Sequence, residues 1–107
     1  MKYAYIAGPM SGHDDFNFPA FFEAADKVRA MGYSVFNPAE EDLKEWGTLE
    51  EVKTKANYRT CLRKDLIYLI DNPNVKIFLL PGWERSKGVA VEIALAKALN
   101  LEVEELK

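Results

Sequence analysis

Apolar positions follow two rhythms along the chain: unbroken or alternating runs that fit strands, and spacings of three and four that fit helices. The run KYAYIA at 2–7 is β-prone and stops at Gly8-Pro9, which predicts a buried strand ending in a sharp turn. After the polar SGHDD, the segment FPAFFEAADKVRAM sets Phe18, Phe21, Phe22, Ala25, Val28 and Met31 on one helical face. Asn17 or Phe18 caps this helix, Pro19 lies in its first turn, and Gly32 ends it. YSVF at 33–36 predicts a second strand, stopped by Asn37-Pro38, and the acidic AEEDLKEW reads as a connection with one weak helical turn. A long helical pattern then starts at Leu49 or at Asn57 and runs to Ile70, where Asp71-Asn72-Pro73-Asn74 breaks it. VKIFLL at 75–80 is nearly all apolar, as a central parallel strand covered on both faces is, and it ends at Pro81-Gly82. SKGVAVEIALAKAL is the last helix, with Ser86 as N-cap, and LEVEEL supplies a short edge strand.

The resulting β-α-β-α-β-α-β alternation predicts an α/β fold, since parallel strands need crossovers and these are right-handed. The expected architecture is a flavodoxin-like three-layer sandwich, with a short parallel sheet in the order 2-1-3-4, formed by residues 1–107 as one domain. In such sheets ligands bind beyond the carboxyl ends of the strands where the strand order reverses, here between the first and third strands. The segments to search are therefore Gly8 to His13, Asn37 to Glu40, and Pro81 to Gly88.

A chain of 107 residues is one ordinary domain, and 49 % apolar with 29 % charged residues is an ordinary globular balance. MKYAYIAGPM is too short and too early broken for a signal sequence, and no stretch is apolar enough to span a bilayer, so a cytoplasmic protein without membrane attachment is expected. Cys61 stands alone and His13 is the only His, which excludes a disulfide framework and leaves no plausible metal site. With neither a P-loop Lys nor a GxGxxG pattern, no cofactor is expected. A net charge of −3 argues against a nucleic-acid polymer as partner. Charge is nevertheless uneven: residues 13–51 carry 10 acids against 3 bases, and residues 53–87 carry 8 bases against 3 acids. Such a basic third either attracts a small phosphorylated ligand or is a solvated helix face.

Glu92 is the most informative residue. Its helical neighbours are Gly88, Val89, Leu95 and Ala96, so no Lys or Arg lies within pairing distance along the helix. A carboxylate on an apolar stripe either reaches water at the rim or is retained for chemistry. Asp65 repeats the pattern among Cys61, Leu62, Tyr68 and Leu69, where it serves a catalytic pair with Glu92 or a local hydrogen bond. In the loop Gly8-Pro9-Met10-Ser11-Gly12, two glycines let the backbone approach a phosphate or sugar hydroxyl, or simply make a tight turn. In Pro81 to Gly88, Trp83 either stacks on a base or covers the core, while Ser86, Gly88 and the free amides of the helix start can hold an anion. Tyr3 and Tyr5 share one strand face, so one of them can reach the cleft; His13, in a polar loop, reads as solvated.

Together YIAGPM at 5–10, Asp65 before the third strand, and LLPGWERSKGVAVEIALAKAL at 79–99 resemble the nucleoside 2-deoxyribosyltransferase superfamily, especially its small phage and bacterial members. Those members also carry a segment like NFPAFFEAADKVRAMGYSVFNPAE, so the likeness runs from Tyr3 to Leu99. The resemblance implies retaining displacement at an N-glycosidic bond, with Glu92 as nucleophile, Asp65 as the group that orients substrate or protonates the leaving base, and Tyr5 holding Glu92. Gly8, Pro9, Met10, Trp83, Ser86 and Gly88 would line the site of a nucleoside or nucleotide. The loop reads PMSGHDD where related nucleotide hydrolases carry an Arg-bearing loop, so nucleoside and nucleotide both stay open. A binding module without turnover and an interaction domain with Glu92 at its rim are the other readings. Apolar faces at Phe21/Phe22 and Leu62/Leu66/Leu69, with the family's habit of building sites beside a subunit interface, lead to a homo-oligomer as the expected state.

Overall fold

The computed structural model describes residues 1–107. The elements are β1 (Lys2–Ala7), α1 (Phe18–Ala30), β2 (Tyr33–Phe36), α2 (Pro38–Trp46), α3 (Leu49–Lys55), α4 (Tyr58–Asp71), β3 (Lys76–Leu79), α5 (Lys87–Leu99) and β4 (Val103–Glu105). All strand pairs are parallel and the sheet order is β2-β1-β3-β4, as the alternation predicted. No helix is long and apolar enough to cross a membrane.

Alternation along β1 divides the core. Ala4 and Ile6 join Phe78 and Leu80 of the third strand and its end beneath α1, against Phe21 and Val28. Tyr5 and Ala7 face the other way with Ile77 and Leu79, against Leu69 of α4 and Val89 and Ala96 of α5. Tyr5 is therefore the β1 tyrosine that points inward; Tyr3, at the strand start, is 37 % exposed.

Three local predictions are corrected. The acidic connection is a full helix, α2, because Pro38 presets its first turn and the Asn37 side chain accepts from the Ala39 N–H at 2.9 Å. Of the two starts expected for the long helix, Asn57 is the one observed, and the stretch from Leu49 is a separate helix. Ala56 is extended between them, and each has its own cap, Thr48 accepting from the Glu51 N–H and Asn57 from the Thr60 N–H. At α1 the Asn17 side chain does not cap the helix; its amide reaches back to the Pro9 carbonyl at 3.0 Å and ties the first loop to the helix start. Asp15, Phe16 and Asn17 all have positive φ there, a conformation that L-residues adopt at a cost, so this turn is held by its surroundings.

Candidate active site

The carboxyl end of β1 opens into a cleft of about 720 Å³, bounded by the first loop, α2, α3, α4 and the start of α5. Its floor is made possible by Gly8, where a Cβ would lie 2.8 Å from that of Leu80. Only a residue without a side chain lets the two strand ends come this close.

Glu92, in the second turn of α5, lies on the cleft floor and is 5 % exposed. The Tyr5 hydroxyl donates to its Oε2. Burial pushes the Glu92 carboxyl up to about 8; the Tyr5 hydrogen bond opposes this and the Asp65 charge adds to it. Asp65, half-buried on α4, is pushed up to about 7 by burial and then by the Asp42 charge, against the pull of the Tyr5 hydroxyl and the Lys64 ammonium. Burial also holds the Tyr5 hydroxyl well above its ordinary range, followed by the Glu92 and Asp65 charges, so it remains a donor. Tyr5 thus bears on both carboxyl groups. Around pH 7 to 8 the two acids hold about one proton between them, which belongs to the pair.

The mouth is basic. Lys53, Arg85 and Lys87 line it; Lys53 pairs with Asp15 at 3.1 Å, while Arg85 and Lys87 enter none of the ion pairs. Ser86 caps α5, its Oγ accepting from the Val89 N–H at 3.2 Å, and also lines the cleft. At Gly88 a Cβ would sit 3.5 Å from the Tyr58 hydroxyl, which places that phenol over the start of α5. No group of three or more His, Cys, Asp or Glu side chains is arranged to hold a metal ion.

Of the residues singled out in the sequence, Tyr5, Gly8, Pro9, Met10, Asp65, Ser86, Gly88 and Glu92 meet in this cleft. Trp83 does not. It packs against the core side of α5, its indole N–H donates to Glu105 at 2.8 Å and so fastens the edge strand, and it does not line the cleft. His13, expected to be solvated, is exposed but lies on the cleft rim.

The sequence reading missed Asp42, Cys61 and Tyr58, which also line the cleft. Asp42 is 8 % exposed. Its helical neighbours include Pro38, Ala39 and Trp46, so the test that found Glu92 finds it too once α2 is recognised as a helix. Cys61 is pushed up to about 11, by burial first and then by the Asp42 charge, and stays a thiol.

Searches of curated proteins and of solved structures return no match. Over residues 2–105, which hold every strand, every helix and the whole cleft, the sequence fits one family model, and the chain belongs to the family described as Domain of unknown function (DUF4406).

Proposed function

We propose that the chain cleaves or exchanges the N-glycosidic bond of a nucleoside or nucleotide. The observation that carries this reading is the buried Glu92 carboxyl on the cleft floor, held by Tyr5 and adjoined by Asp65. With Oε2 occupied by the phenol, Oε1 is the oxygen that attacks C1′ of the sugar. The C1′–O bond forms as the C1′–N bond breaks, and the bond pair passes to the base nitrogen, which takes the proton of Asp65. Water or a second base then attacks C1′, Asp65 recovers a proton, and Glu92 leaves as carboxylate with overall retention. At rest the higher value of Glu92 places the pair's single proton there, and cationic charge building on the sugar reverses the order, drawing the anion to Glu92 and passing the proton to Asp65. The likeness of YIAGPM and of the segment 79–99 to nucleoside 2-deoxyribosyltransferases supports the same roles.

Arg85 and Lys87 beside the free amides of α5 favour a substrate carrying phosphate at its 5′ end. We also propose self-association: Phe21 and Leu69, of the faces expected from the sequence, are buried in the core, but Ile67, Ile70, Val91 and Leu99 are large apolar side chains exposed on α4 and α5. Arg59 and Arg63 near one end of α4 complement Asp71 at the other, so an antiparallel second copy fits that face. Light scattering at micromolar concentration tests this, a monomer removing it.

The test of function is a panel of nucleosides and their 5′-monophosphates, with free base read by chromatography. Base release that disappears in Glu92→Gln supports the reading. Saturable thermal stabilisation without release would instead leave a binding module. Neither response would remove both.

A further inference from the structure

Three carboxyl side chains line the cleft, and the reaction proposed above uses only Glu92 and Asp65. The third, Asp42, is more than nine-tenths buried yet opens onto the cleft. It enters none of the ion pairs, and the Lys64 ammonium, which bears on it, lies 4.0 Å from Glu45. Its near polar neighbour is the Cys61 thiol, a weak donor. No protein group but this weak donor serves the Asp42 carboxyl, whose oxygens open onto the cleft, where a ligand can bring donors.

Its place in the row decides which part of a ligand it meets. α2 follows β2, Tyr5 stands on β1 and α5 follows β3, in a sheet ordered β2-β1-β3. Correspondingly, the Asp65 charge bears on Glu92 and the Asp42 charge bears on Asp65. Asp65 is thus the middle of the row. A substrate with its sugar at Glu92 and its 5′ end towards Arg85 and Lys87 lays its base across Asp65 and points the far base edge at Asp42.

We infer that Asp42 reads that edge by accepting a hydrogen bond from an exocyclic amino group, so the substrate class is nucleosides of amino-bearing bases, cytosine-like or adenine-like. This rests on the N-glycosidic reading of the cleft. A carboxylate offers only acceptors, so an oxo group in the same position sets lone pair against lone pair. Carboxylate recognition of the cytosine amino group follows the same geometry in nucleic-acid grooves.

The experiment compares kcat/KM for matched pairs, 2′-deoxycytidine with 2′-deoxyuridine and 2′-deoxyadenosine with 2′-deoxyinosine, the corresponding ribonucleosides, and the 5′-monophosphates of each. Wild type is expected to favour the amino base by about tenfold or more within a pair, and Asp42→Asn, which keeps the shape but adds a donor, to bring the ratio close to one. A wild-type ratio near one, or an unchanged ratio in Asp42→Asn, overturns the assignment. A second readout needs neither turnover nor a variant: thermal stabilisation of the wild-type protein by free cytosine against uracil, and adenine against hypoxanthine. Selective stabilisation by the amino bases supports Asp42 even where no nucleoside is cleaved, an outcome that removes the glycosidic reading alone. Equal stabilisation by both kinds of base, or by neither, together with no base release, overturns the Asp42 assignment as well.

Discussion

The Tyr5 hydroxyl of β1 donates to the carboxyl of Glu92 on α5, joining two buried side chains from opposite ends of the sequence. Burial alone would keep Glu92 neutral, and the phenol is the one neighbour that favours its anion. The Glu92 carboxyl, the proposed nucleophile, is therefore poised by two opposed effects, of which burial is the larger.

Glu92→Gln should abolish base release, by at least about a hundredfold, since the amide keeps the shape but loses the nucleophile. The same variant should be more stable than wild type by about 1–3 kcal/mol at pH 8, because it removes the cost of ionising a buried carboxyl. Base release by chromatography and thermal unfolding on one preparation check both. Wild-type activity in Glu92→Gln ends the nucleophile assignment.

Tyr5→Phe separates the hydroxyl from the ring. The ring stacks on Phe36 at 5.5 Å and Tyr68 at 6.2 Å, contacts that Phe keeps, so the loss of stability should be about 1 kcal/mol or less. Without this donor Glu92 and Asp65 both ionise at higher pH, so base release should fall by about tenfold at pH 7 and its pH optimum should move upward. A rate unchanged at every pH would show that the phenol only packs.

The acid pair also fixes two pH dependences. Base release should peak between the values of about 7 for Asp65 and about 8 for Glu92, since below both the nucleophile is protonated and above both the acid is spent. Stability runs differently. Both groups titrate higher folded than their ordinary values of 3.8 and 4.5, so the folded state holds more protons between about pH 4 and 8 and stability declines as pH rises across that window. Below about pH 4 this penalty is absent, and above about pH 8 it is constant. The decline should be shallower in Glu92→Gln, which denaturant titrations at pH 5 and 8 would show.

The strand order and the prominence of Glu92 were legible because both rest on local pattern: alternating elements demand parallel crossovers, and a carboxylate without basic neighbours at helical spacing stands out. The partnership with Tyr5 was named by the family resemblance and was only half legible in the strand pattern itself. Strand alternation put Tyr3 and Tyr5 on one face, but which of them reaches Glu92 depends on the register of β1 against β3, where Tyr5 pairs with Ile77. Asp42 was lost because AEEDLKEW looks like solvated connection until the Asn37 cap, a side-chain contact, is known to start a helix. Trp83 was ambiguous because loop position says nothing of where an indole points, and Glu105 draws it to the edge strand.

Trp83→Phe accordingly should leave base release within about twofold of wild type while costing about 1 kcal/mol of stability through the lost bond to Glu105. Hydrogen exchange should rise first in β4, the edge strand that this bond fastens. A variant that loses base release but not stability would return Trp83 to the site.

Asp65→Asn distinguishes a working glycosidic enzyme from a pocket that only binds. Asp65 lies between Glu92 and Asp42 and is pushed up to about 7, a value suited to giving a proton near neutral pH. If it protonates the departing base, its contribution grows as the C1′–N bond breaks, so the transition state loses more than the ground state when the proton is removed. Single-turnover base release should then fall by about a hundredfold or more, while the dissociation constant of a non-cleavable nucleoside analogue changes by less than about threefold. Equal losses in both measurements would make Asp65 a positioning residue. Substrates with activated leaving groups sharpen the comparison: a base that departs without protonation should be released by Asp65→Asn nearly as fast as by wild type, whereas loss of positioning would slow every substrate alike.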